Sequence, residues 1–370
     1  MVEYPSVWLS ILGFLLLLGP LVTVHELGHY LVGRWCGVKA DAFSIGFGKE
    51  LVGWTDKRGT RWKLSLLPLG GYVQFAGDMD SSSRPSEEWL ALPEEERART
   101  FQAQPLWQRA LIVAAGPLTN LLFAVVIFAG FNMALGKPDA APVVGTFMEH
   151  SAAREAGMKP GDRILSIDGE AIHDFSDVQQ RTLMFPGKRL VLVVDRAGRH
   201  LTIPVKLADT TITDDLGNKQ RVGLLGLITQ RHFTAVGPVE AVTLAVGQTR
   251  DVISTMVTGI VQIASGTRSF RELGGPVKMA QYSGESLAQG PLPFVSLVAL
   301  ISINLAFINL LPIPALDGGH LAFYAAEAVR RKPVGQRSQE WAFRTGVALV
   351  LALMLFVTIN DIVSLPLFGK

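Results

Sequence analysis

Residues 110–135 pass 26 consecutive positions without one ionisable side chain. About 20 apolar residues cross a ~30 Å hydrocarbon core as a helix, so this run alone predicts a membrane span. Three further runs resemble it. Residues 7–24 (VWLSILGFLLLLGPLVTV) carry no charge, and the pattern continues through His25 and Glu26 to Val32. Residues 286–316 are uncharged but interrupted by prolines, and residues 345–360 are extended past Asp361 by IVSLPLFG. Four spans are expected. The first is read as a retained span and not as a signal peptide: its apolar part is long, no basic segment precedes it, and no small-x-small cleavage site follows. Charged residues make up 18% of the chain, against about 25% in soluble domains. Thirty-four Lys+Arg balance thirty-two Asp+Glu to a net charge of +2, so nucleic acid is not an expected partner and the lipid bilayer is.

Basic residues near the span ends set the orientation. Arg34, Lys39 and Lys49 follow the first span, Arg97, Arg99 and Arg109 flank the second, and Arg330, Arg331, Lys332, Arg337 and Arg344 lie between the third and fourth. The opposite side offers Lys137, Arg154, Lys278 and Lys370. Loops 33–105 and 328–344 are therefore expected in the cytosol, and segment 136–285 outside it.

That extracytosolic segment opens with short β-rich runs (VVGTF, RILSIDG, RLVLVVD, HLTIPVKL) separated by turns at Lys159-Pro160-Gly161-Asp162 and Asp168-Gly169. SAAREAGMKPGDRILSIDGEAI resembles a PDZ domain of the bacterial type, which implies a groove that takes a peptide or a new C-terminus by strand addition. A β-rich spacer without ligand is the other reading. The apolar series from Pro238 to Ser265 reads as an interfacial or packing helix, too short in its uncharged part to span. The expected domains are 1–135, containing a membrane-associated β region at 42–76; a PDZ domain at 136–208 with its core at 142–208; a β/helical connector at 209–285; and a second membrane half at 286–370. The fold class is a polytopic α-helical membrane protein of about four transmembrane helices, with a membrane-associated β-hairpin region and an inserted extracytosolic α+β domain.

The first span ends in His25-Glu26-Leu27-Gly28-His29. Positions i and i+4 share a helix face, so two imidazoles can grip one metal while the intervening carboxylate polarises a bound water. Ionisable groups inside a span cost several kcal/mol and persist where they have a role. With the single cysteine, Cys36, no CxxC site exists, and a metal must be held by histidine and carboxylate. A catalytic zinc takes three protein ligands and a water. The candidate third ligand is Asp317, in Asn309-Leu-Leu-Pro-Ile-Pro-Ala-Leu-Asp-Gly-Gly-His320. Prolines 312 and 314 cannot continue a helix, and a broken backbone at membrane depth is tolerated only where protein or a water-filled cavity covers it. His25 stands ~27 Å along a helix from Val7, and Asp317 follows a span that also runs inward, so the ligands meet near the cytosolic side. His320 is read as a supporting or packing residue, and His150, His173, His200 and His232 lack ligand spacing. Rival readings are an ion- or proton-coupled transporter and a membrane-tethered, non-catalytic PDZ scaffold.

HELGH in the first span, AGPLTN (115–120) in the second and NLLPIPALDGGH in the third resemble the site-2 protease family of intramembrane zinc metalloproteases. The PDZ insertion, FSIGFG (43–48) and LPLGGYVQF (67–75) resemble its bacterial branch, typified by the regulator of sigma-E protease. One PDZ domain stands here where some relatives carry two. The resemblance implies that His25, His29 and Asp317 bind Zn2+ and that Glu26 is the general base. It also implies that Asn309 hydrogen-bonds unwound substrate or the developing oxyanion, and that Pro312 and Pro314 shape the substrate channel. In such a family the β region dips into the membrane and receives substrate by strand addition, which assigns Gly46, Gly48, Leu64 and Leu66 to substrate binding. The implied substrate is a single-span membrane protein, such as an anti-sigma factor trimmed outside by another protease. The implied location is the bacterial inner membrane, with the PDZ domain in the periplasm or outside.

Overall fold

The computed structural model describes residues 6–77, 93–139, 141–213, 219–229, 232–332 and 334–364; Lys370 and the end of the fourth apolar run, 365–369, lie outside them. The described residues form two compact units, one from 6–127 with 274–364 and one from 128–273.

The first unit is built on long apolar helices. Among the described residues four are long and apolar enough to cross a membrane: Val7–Trp35, Leu106–Leu135, Pro291–Leu310 and Arg337–Val363. They are α1 (Val7–Trp35) and α2 (Leu106–Leu135), with α5 (Pro291–Leu310) and α7 (Gln336–Ser364) from the C-terminal part. Leucines such as Leu16 on α1, Leu122 on α2 and Leu355 on α7 are exposed, as lipid-facing side chains are.

The third apolar run is shorter than its sequence suggests. Gly290 turns out of helix at φ 118° and Pro291 opens α5, which ends at Leu310. Residues before the break belong to α4 (Pro276–Gln289), a helix whose Lys278 and Glu285 conceal it from a hydropathy reading. Small residues join α4 to α1: a Cβ on Gly13 would lie 2.7 Å from the Ser283 carbonyl carbon, and one on Gly284 would lie 2.7 Å from Ser10 Cα. Close backbone approach of this kind is how membrane helices gain contact without a hydrophobic drive. Asp361 on α7 is fully buried and accepts from the N–H groups of Gly275 and Lys278, each at 3.0 Å. A charge within a span is thereby spent on the free N–H groups at the start of α4.

Strands β1 (Ala40–Thr55) and β2 (Arg61–Phe75) pair and fold back on each other. Phe43 faces both Trp62 and Val73, and Ile45 faces both Leu64 and Gly71. Residues 42–45 are therefore an inner strand, with 61–64 on one side and 71–74 on the other. The bend is made at Gly46 and Gly48, at φ 91° and 87°, where L side chains are strained. An aromatic cluster of Tyr30, Phe43, Phe75 and Phe101, with Ile112 and Tyr324, fixes this sheet beside the end of α1 and the start of α2.

In the second unit a four-stranded antiparallel sheet runs β4-β3-β5-β6, from β3 (Arg163–Ile167), β4 (Glu170–Ala171), β5 (Arg189–Arg196) and β6 (Arg199–Lys206). Asp168 and Gly169, both at positive φ, make the two-residue β3–β4 turn that such hairpins require. Ile164, Ile167, Leu190, Leu192 and Val194 fill the core beneath α3 (Phe175–Leu183), which Asp174 starts with a capping box. Asp162 is buried and bound by Arg196 through two hydrogen bonds of 2.7 Å. The apolar series after Pro238 forms a helix over Pro238–Ala264, which buries Ala241, Ala245 and Thr249.

Candidate active site

α1 continues without a break past His25, Glu26 and His29. The i, i+4 geometry puts the two Nε2 atoms 3.2 Å apart, with ring centroids 4.8 Å apart. Asp317 Oδ2 lies 3.2 Å from His25 Nε2 and 3.6 Å from His29 Nε2. These ligand atoms all fall within 4.8 Å of one another, the one such group of three among the described residues. Asp317 Oδ2 is buried and makes no well-formed hydrogen bond. The three side chains bring their ligand atoms to one small region. The neutral His29 ring has a defined proton position: Nδ1 lies 2.8 Å from the Ile112 carbonyl oxygen, which can only accept. The proton therefore sits on Nδ1, and Nε2 turns a lone pair toward the cluster.

Asp317 arrives by a different route. α5 stops at Leu310, Leu311 is extended, and tight turns follow from Ile313 N–H to Leu311 O and from Leu316 N–H to Ile313 O. Ala315 is held at φ 88°, a strained value for a residue with a Cβ. α6 (Asp317–Arg330) then starts with Asp317 in its first turn. Gly318 and Gly319 are buried against the chain just traversed: a Cβ on Gly318 would lie 2.5 Å from the Leu310 carbonyl carbon, and one on Gly319 would lie 2.7 Å from Pro314 Cα. The glycines let a new helix begin against the end of the old one, and that contact puts Asp317 opposite α1.

α2 and the sheet close the remaining sides. A Cβ on Gly28 would lie 2.9 Å from the Ala115 carbonyl carbon, and one on Gly116 would lie 2.9 Å from His25 Cε1; no larger side chain fits at either place. Gly71 packs on the stem of Glu26, 3.0 Å from its Cγ when given a Cβ, and Val73 lines the same cleft as Glu26. Beside these groups lies a cleft of about 150 Å³ lined by Glu26, His29, Asp317 and His320, with Val73, Phe75, Ile112 and Tyr324 among its walls.

The structure thus brings His25, Glu26, His29 and Asp317 together, with His320 at the cleft. It does not place the expected substrate-binding residues on the cleft wall. Asn309 is half-buried in the last turn of α5, Pro312 is exposed and Pro314 half-buried in the chain break. Gly46 and Gly48 form the β1 bend. Leu64 is paired on both sides, with Val52 and Ile45, so it is no free edge, and Leu66 has no partner in the register. The segment bordering Glu26 is 71–75. Sequence reasoning did not single out Asn120, whose fully buried side chain reaches His25; an amide four residues after a glycine in a charge-free span was the available signal.

The profile of peptidase family M50 matches residues 13–353. A provisionally named zinc metalloprotease of Agrobacterium fabrum is 47% identical, with the match covering 96% of each chain. Another of Rhizobium meliloti is 44% identical over 94% of this chain and 95% of its own. The metalloprotease MmpA of Caulobacter vibrioides is 35% identical over 96% of this chain and 95% of its own. The match runs through both segments that supply the clustered side chains, and the chain belongs to peptidase family M50, the site-2 protease family of membrane zinc metalloproteases.

Proposed function

We propose that the chain is an intramembrane endopeptidase that holds Zn2+ through His25, His29 and Asp317 and uses Glu26 as general base. The observation that carries this reading is the convergence of two imidazole nitrogens and one buried, otherwise unbonded carboxylate oxygen beside Glu26 at a cleft. Two nitrogens and one oxygen are a donor set that zinc takes in catalytic sites, with a fourth position left open. When bound, zinc supplies a polarised carbonyl and a water whose pKa is lowered toward ~7. Glu26, packed against Gly71, takes the proton of the attacking water and returns it to the leaving nitrogen.

The substrates in this reading are single-span membrane proteins, among them an anti-sigma factor already trimmed outside. A membrane helix bonds its own carbonyls and resists attack until it is unwound. Segment 71–75, paired with 40–45 and bordering Glu26, is assigned to an extended substrate by strand addition, with Leu64, Leu66, Gly46 and Gly48 in the same β region. Asn309 is assigned to the unwound substrate, and Pro312 and Pro314 to the shape of its path. The basic loops put the clustered site near the cytosolic face of the bacterial inner membrane. The unit containing β3–β6 is then periplasmic or external, a PDZ domain that excludes untrimmed ectodomains or recognises a new C-terminus.

The test is Glu26→Gln in purified full-length protein, against single-span substrates with and without their outer domains. Zinc near one per chain with cleavage abolished supports the reading, as does preference for trimmed substrate. Zinc-free protein that still cleaves or transports, or a Glu26→Gln variant with full activity, overturns it.

A further inference from the structure

Two helical turns apart on α2, two groups reach the Nδ1 atoms of the two clustered histidines. The Ile112 carbonyl takes the Nδ1 proton of His29 at 2.8 Å, and the Asn120 amide lies 3.2 Å from His25 Nδ1. Asn120 is fully buried, and its own backbone carbonyl accepts from Ser302 Oγ at 2.8 Å, which ties its position to α5. With Nδ2 toward the ring, as the atoms stand, Asn120 Oδ1 is a buried acceptor without a partner. That orientation would also put the neutral His25 proton on Nε2, where it would point to Asp317 Oδ2 3.2 Å away and leave no lone pair for a metal. Oxygen and nitrogen of an amide have nearly the same shape, and a half-turn exchanges them without moving any other heavy atom. Oδ1 then accepts from His25 Nδ1–H, and Nε2 presents a lone pair to the cluster as His29 does.

We propose that Asn120 is a positioning residue that fixes the ring angle and tautomer of His25 through an Nδ1–H to Oδ1 hydrogen bond. The inference rests on the zinc reading of the cluster. Its chemistry is that of a ligating histidine held by an acceptor on its other nitrogen, whose loss costs roughly 10–100-fold in metal affinity.

The experiment measures zinc dissociation constants of full-length protein in detergent by competition with a chelator, for wild type, Asn120→Leu and Asn120→Asp. Thermal unfolding of the metal-free forms is followed alongside. Asn120→Leu, similar in size but without an acceptor, is expected to weaken zinc binding by about 10–100-fold with little change in metal-free stability. Asn120→Asp can only accept, and is expected to bind within about threefold of wild type or tighter. Asn120→Leu binding like wild type overturns the proposal, and so does Asn120→Asp weakening as much as Asn120→Leu. If Asn120→Leu does not fold, the aspartate variant decides alone. Wild type that binds no zinc removes the zinc reading and this inference together; wild type that binds zinc beside an unaffected Asn120→Leu removes this inference only.

Discussion

His25 and His29 sit on an uninterrupted helix, whereas Asp317 sits at the restart of a chain that has just broken. The first arrangement obtains its spacing from the 3.6-residue repeat, and any sequence that keeps α1 helical keeps the two imidazoles on one face. The second has no such template. It needs two prolines to stop the chain, a strained Ala315, and two glycines through which α6 can begin against Leu310 and Ile313. The difference teaches where the site is vulnerable: at the proposed ligands themselves on α1, but at the scaffold as well around Asp317.

The largest effects come from removing either side. His25→Ala and Asp317→Ala are each expected to lower cleavage on the order of a thousandfold or more and to abolish stoichiometric zinc, measured by metal analysis of the purified protein. Unequal losses, with one variant retaining zinc and activity, would break the symmetry assigned to the two arms.

The scaffolds are separated by glycine substitutions. Gly319→Val drives its side chain into Ile313 and Pro314 and is expected to cost ~1–3 kcal/mol together with weaker zinc binding. Gly19→Ala on α1 meets nothing within 4 Å and should change stability by less than ~1 kcal/mol. Denaturant titration and chelator competition on both variants test the contrast, which fails if the two behave alike.

Asp361→Ala strips the carboxylate from the start of α4 and leaves the Gly275 and Lys278 N–H groups without it. A loss of ~1–3 kcal/mol is expected, without direct change in zinc affinity. A loss of zinc in this variant with stability intact would place α4 in the metal site, which the account does not.

The smallest effect lies in the second unit. The Arg196 guanidinium, followed by the Lys159 N–H, holds the Asp162 carboxyl below the usual carboxylate range. A depressed folded-state pKa contributes stability above the unfolded value of ~3.9 and loses it as pH falls through the folded value. Amide exchange of Leu192 and Val194 should therefore stay flat from about pH 8 to 5 after correction for intrinsic rate and quicken below about pH 4. Asp162→Asn should remove that acid step.

These contrasts follow how much the chain disclosed beforehand. Four apolar runs and the i, i+4 histidines were readable because each signal is local, and Asp317 stood out by its proline- and glycine-rich setting. Asn120 and the Ile112 carbonyl were not singled out, since their roles exist only once α2 lies on α1 through Gly28 and Gly116. α4 escaped notice because it is polar by composition and owes its place to Gly13, Gly284 and Asp361. The double pairing of residues 42–45 depends on a chain reversal that strand alternation does not encode.

The most direct measurement of the central claim is X-ray absorption at the zinc edge of wild type and Asp317→Cys. Wild type is expected to show only nitrogen and oxygen neighbours at about 2.0–2.2 Å. Asp317→Cys should add one sulfur near ~2.3 Å under the proposed assignment of residue 317 to the metal. A zinc shell unchanged by the substitution would contradict the account.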